Sequence, residues 1–123
     1  MMMSDAAMPD PRGDRTRAKG AEYEALGYLL NRGYLAIRAG VSTPLIHLVA
    51  LKPASGALLI RVVTARRAIH GASHVAALWR EDLDRLRSLP VPANCEIHLW
   101  VYTDRKGWHR YQVLPGGIAE AEV

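Results

Sequence analysis

The stretch from His47 to Arg67 reads HLVALKPASGALLIRVVTARR. Its apolar runs, IHLVALK from Ile46 and ALLIRVVT from Ala57, are rich in β-branched and leucine residues. The four residues PASG between them suit a hairpin connection. Strand alternation puts His47, Val49 and Leu51 on one face of the first run, and Leu59, Arg61 and Val63 on one face of the second. The hairpin ends in the basic pair Arg66-Arg67.

The chain before the hairpin reads as a helix and a strand. Ala18, Ala21, Ala25, Tyr28 and Leu29 recur at helical spacing between Thr16 and Asn31, and Gly33 supplies the stop. YLAIRA, Tyr34 to Ala39, reads as a strand, and GVSTP as a loop bracketed by Gly and Pro. After the hairpin, Ser73 to Ser88 reads as one helix, with Val75, Leu78, Trp79, Leu83 and Leu86 on its apolar side. LPVPAN ends it. CEIHLWVYT is a further strand, RKG a turn, and WHRYQVL its hairpin partner. Residues 1–15 and 116–123 carry no periodicity and are expected as tails around a single domain at 16–115. The order α-β-β-β-α-β-β predicts an α/β sandwich around a central mixed sheet.

Bulk properties narrow the function classes. A chain of 123 residues, half of them hydrophobic, can bury one core. No apolar run approaches the ~20 residues of a membrane span, and the N-terminus lacks the pattern of a secretory signal. The single Cys95 excludes an internal disulfide and fits a reducing cytoplasm. Arginine outnumbers lysine thirteen to three, which we read as coding bias. The net charge of +4 is uneven: −2 over residues 1–11, +7 over 12–75 and −1 over 76–123. A basic half beside a near-neutral half is the footprint of nucleic-acid binding.

Lys19-Gly20 followed by Glu24, the helix-ending NRGY, a strand ending in Arg38, a Ser-containing loop with Ser42 and the following hairpin together resemble the PD-(D/E)XK restriction-endonuclease-like superfamily. Within it the likeness is to the archaeal Holliday-junction resolvases, over about residues 17–67, and by pattern alone over 74–113. The resemblance implies a restriction-endonuclease-like fold, a homodimer, a DNA substrate and metal-assisted phosphodiester cleavage. It also implies where the ligands belong: Glu24 on the first helix, an aspartate at His47, a glutamate at Arg61 and a lysine at Val63.

Three of those four positions carry other chemistry. Mg²⁺ needs hard oxygen ligands, normally including one or two carboxylates. Between Glu24 and Glu81 the sequence has no Asp or Glu at all. A permanent cation at Arg61 opposes a metal ion there. The site therefore reads as degenerate, with no catalytic residue, no metal and no cofactor expected, and with Arg61 and Glu24 expected to pair. DNA binding is expected through Arg12, Arg15, Arg17, Lys19, Ser42, Arg61, Arg66 and Arg67, by backbone contacts without base readout. Two rivals remain open. One is an active Mg²⁺-dependent nuclease drawing on Glu22, Glu24 or Glu81 with His47. The other is a protein–protein module that pairs with an active nuclease.

Other residues read as structural. His70 and His74 are four apart, a metal-ligand spacing, but no third ligand is evident. Cys95 is expected as an inert core thiol. Trp79, Trp100 and Trp108 are expected to pack in the core, and TDRKGW to form a tight turn.

Overall fold

A computed structural model describes residues 15–40, 44–52, 56–104 and 106–123, excepting the side chains of 15–18. In chain order the elements are α1 (Arg15–Asn31), β1 (Leu35–Arg38), β2 (Leu48–Lys52), β3 (Gly56–Ala65), α2 (Ala72–Leu78), α3 (Arg80–Arg87), β4 (Cys95–Thr103), β5 (Gly107–Leu114) and β6 (Gly117–Glu120). The six strands form one sheet in sequential order. Every pairing is antiparallel except β3 with β4. A parallel pair needs a crossover, and α2 and α3 supply it. The α/β sandwich with a mixed sheet is thus the observed architecture.

Both faces of the sheet are covered at β3 and β4, which explains the long apolar run of β3. On one face Ala21, Ala25 and Leu29 of α1 pack on Leu48, Ala50, Leu58, Ile60, Val62 and Trp100. On the other, Val75, Trp79, Leu83 and Leu86 pack on Val63, Ala65, Ile97, Leu99, Val101, Tyr111 and Val113. Small alanines on α1 let the helix lie close to the sheet. Each fully buried Leu or Val contributes roughly 1.5–3 kcal/mol.

Two expectations are corrected. The single helix over 73–88 is two, broken at Trp79, whose backbone leaves helical geometry (φ −115, ψ 38). No Pro or Gly causes this; the indole itself is buried in the core at the bend. The expected tail at 116–123 contains β6, registered on β5 from Leu114↔Gly117 to Tyr111↔Glu120. Arg87 of α3 fastens that corner, its Nε donating to the Leu114 carbonyl (2.9 Å) and its Nη2 to the Gly117 carbonyl (3.1 Å). The middle of the β2–β3 connection, 53–55, lies outside the described residues.

Candidate nucleic-acid interface

The candidate site lies where β2 begins beside the middle of β3. Alternation fails there: Ile46 is buried in the α2–α3 layer, yet Leu48, two residues on, is buried in the α1 layer. His47 is the residue at the fault. Its N–H donates to the Ile60 carbonyl (2.9 Å), and its own carbonyl accepts from Ala39 N–H (2.8 Å). Its Nδ1 accepts the N–H of Val62 at 2.8 Å, so the imidazole supplies the acceptor that a longer β2 would have given. An accepting Nδ1 must keep its lone pair, which puts the ring hydrogen on Nε2. Burial is the largest cause lowering the His47 pKa; Glu22 opposes it and Arg61 adds to it.

Arg61 does not meet Glu24. Its Nε donates to Asp82 Oδ2 on α3 at 2.8 Å, and its Nη1 to the Pro44 and Leu45 carbonyls at 3.1 and 3.0 Å. One guanidinium thus ties β3 to α3 and to the chain entering β2. The acidic residue of α1 at the site is Glu22. Its Oε1 accepts from Arg38 Nη2 at 3.2 Å, and its Oε2 stands 3.9 Å from His47 Nε2. Arg38 also donates through Nη1 to the Tyr23 hydroxyl at 2.8 Å. Glu24 instead faces outward and accepts from Trp108 Nε1 at 3.2 Å. Val63 is buried under the α2–α3 layer.

Two arginines therefore meet two carboxylates, and with a neutral His47 the cluster has no formal charge. Among the described residues no three His, Cys, Asp or Glu side chains stand close enough to hold a metal ion. Further basic side chains lie around the cluster. Because α1 runs antiparallel to β1, and β3 is parallel to β4, one end of the sandwich gathers the start of α1 with Lys19, the end of β3 with Arg66 and Arg67, and the β4–β5 turn with Lys106. Arg67, Lys19 and Lys106 are exposed. Of the other expected contacts, Arg12, Ser42 and the side chains of Arg15 and Arg17 lie outside the described residues.

Asp82 was missed in the sequence, and Glu22 was named only as a ligand of the rival active nuclease, with Glu24 given the place beside Arg61; for Glu22 a signal existed. At about 100° per residue, Glu22 stands about 60° from the middle of the Ala21–Ala25–Leu29 stripe, and Glu24 about 100°. Asp82 had none, since its position depends on the bend at Trp79.

The tryptophans are structural to differing degrees. Trp79 and Trp100 are buried. Trp108 is half-buried, its ring 6.0 Å from that of Trp100 and 5.1 Å from Tyr102. Arg110 lies among these rings, 4.0 Å from the Tyr28 centroid and 4.8 Å from Trp100. Cys95 is a free, half-buried thiol rather than a core one.

No family model and no curated protein matches the chain. Among solved structures it is similar to Hjc, a Holliday junction resolvase from the archaeal hyperthermophile Archaeoglobus fulgidus. The identity is 16% and the TM-score 0.48, over 84% of this chain and 85% of that chain.

Proposed function

We propose that the protein binds DNA, duplex or branched, through phosphate contacts at the basic end of the sandwich, and that it does not cleave it. The observation that carries the reading is Arg61. A carboxylate is what the resemblance calls for at that position, and an arginine bonded to Asp82 and to two carbonyls stands there. Hydrolysis of a phosphodiester needs charge stabilisation at the scissile phosphate, usually by a metal held on carboxylates. Glu22 and Asp82 are each engaged by an arginine instead. The neutral cluster makes a poor phosphate site too, so contact falls to Lys19, Arg66, Arg67 and the basic start of α1. The reading requires no cofactor, and it places the protein in a reducing cytoplasm, in keeping with its one free thiol.

A second reading is favoured by one surface. Leu35, Ile37 and Leu51 are 65, 59 and 43% exposed, on strands paired with each other. That apolar face suits a protein partner, whether a second copy or an active nuclease.

A gel-shift comparison of four-way junction, duplex and single strand tests both readings. The expected result is a salt-sensitive shift, log K falling by about 0.9 per decade of salt for each phosphate contacted, and no product with Mg²⁺ or Mn²⁺. Metal-dependent product abolished by Glu22→Ala or Glu24→Ala overturns the non-cleaving reading. No shift at low salt overturns DNA binding and leaves the partner module.

A further inference from the structure

Beyond β3 the chain runs through Arg66 and Arg67 to His70, turns at Gly71 (φ +100) and enters α2. The segment folds over a cleft of about 410 Å³ lined by Ala65, Arg67, Ala68, His70, His74 and Leu78. The two imidazoles stack there, centroids 5.0 Å apart and planes 21° from parallel. Their order is fixed by a hydrogen bond, His70 N–H donating to His74 Nδ1 at 3.0 Å. As at His47, an accepting Nδ1 keeps its lone pair and puts the ring hydrogen of His74 on Nε2. The cleft is thus walled by Arg67, an N–H-bearing imidazole and a second imidazole over an apolar floor, and among the described residues no carboxylate lines it.

That set of donors selects an anion. A metal ion is disfavoured because one of the four imidazole nitrogens is already used and no third ligand joins the pair among the described residues. Arg67 presents a planar fork of donors that fits phosphate oxygens. The cleft opens at the carboxyl end of a strand in a parallel pair, the edge of an α/β sheet where ligands are usually held. An internal phosphodiester is a single charge on a continuous ridge and enters a cleft poorly. A phosphomonoester carries about −1.5 to −2 charges and three acceptor oxygens on a free end.

We propose that Arg67, His70 and His74 form a recognition cleft for a phosphomonoester, the terminal phosphate of a DNA strand. The proposal rests on the DNA-binding reading and sharpens it: the basic end would favour strand ends over continuous duplex.

The test uses the full chain and two fluorescent DNA hairpins that differ only in carrying a 5′-phosphate or a 5′-hydroxyl, with a 3′-phosphate version as a third probe. Fluorescence anisotropy should show about tenfold tighter binding to one phosphorylated end, the size of one charge-assisted hydrogen bond. In Arg67→Ala and in His74→Gln the ratio of phosphate to hydroxyl affinities should fall to about one, whatever the absolute affinities become. In parallel, thymidine 5′-monophosphate is titrated while the imidazole NMR signals of His70 and His74 are followed, with chloride at equal ionic strength as control. Shifted imidazoles without any DNA binding support the cleft and overturn the DNA reading. Shifted imidazoles with equal hairpin affinities make a free nucleotide the ligand and overturn the strand-end assignment. Equal hairpin affinities with unmoved imidazoles overturn the cleft altogether.

Discussion

Arg61 and Asp82 form the pair on which the reading of the site turns, and both side chains are more than three-quarters shielded. A largely shielded guanidinium with three hydrogen bonds behaves as a strut, and removing one partner strands the other's charge. Asp82→Ala is expected to destabilise the fold by about 2 kcal/mol, and Arg61→Ala by a similar amount, in urea unfolding. The double variant Arg61→Met with Asp82→Leu should recover much of the loss, because no unpaired charge remains and the space is refilled with apolar atoms. A strut also predicts that Arg61→Ala leaves the salt slope of DNA binding unchanged. If Arg61→Ala costs no stability but lowers that slope by about one, Arg61 holds phosphate and the strut assignment is wrong. The sequence exposed half of this arrangement. It showed that the carboxylates were missing from 25–80, but not that Glu22 and Asp82, just outside that span, return to neutralise Arg38 and Arg61.

Elements were legible where alternation or helical spacing persisted over several residues, as in Cys95–Thr103, whose bounds match the observed β4. Those fixed by tertiary contacts were not. GIAE at 117–120 is too short to announce a strand, and β6 forms because β5 offers an open edge and Arg87 binds the turn. The bend at Trp79 has no breaker residue, and only burial of the indole marks it. The start of β3 has a clearer determinant. Gly56 adopts φ +78, and a Cβ there would overlap the Asn94 carbonyl that leads into β4. The Asn94 carbonyl also accepts from Ala57 N–H at 3.3 Å, so this is where the parallel pair is joined. Gly56→Ala therefore meets both torsional strain and a backbone collision, and should cost more than about 2 kcal/mol. Gly33→Ala makes the control, since Gly33 has a similar φ of +89 but open space around it, and about 1 kcal/mol is expected. Urea midpoints of the two variants decide it: equal losses would mean that the close approach to Asn94 contributes nothing.

At the scale of the whole molecule, the two layers hold two of the five histidines in a way that couples folding to pH. His47 is lodged between α1 and the sheet, with Glu22 and Arg61 as charged neighbours and Asp82 beyond. His98 is buried on β4, its Nδ1 accepting from Trp100 Nε1 at 3.1 Å and its Nε2 facing Glu96 Oε1 at 2.9 Å. In each the pKa is lowered, chiefly by burial, with the neighbouring glutamate opposing. A histidine depressed in the folded state binds its proton more readily when unfolded, so acid favours unfolding. The stability these residues contribute is complete above the unfolded value of about 6.5 and is lost as pH falls from there through the folded value. The loss reaches at most about 1.4 kcal/mol per pH unit for each histidine. Denaturant unfolding between pH 7.5 and 5 should show stability falling in this window. In His47→Asn combined with His98→Gln the slope should flatten, even if the variant is less stable throughout, because neither amide side chain titrates. A double variant that keeps the full wild-type slope would move the acid sensitivity elsewhere and remove these two residues as its source.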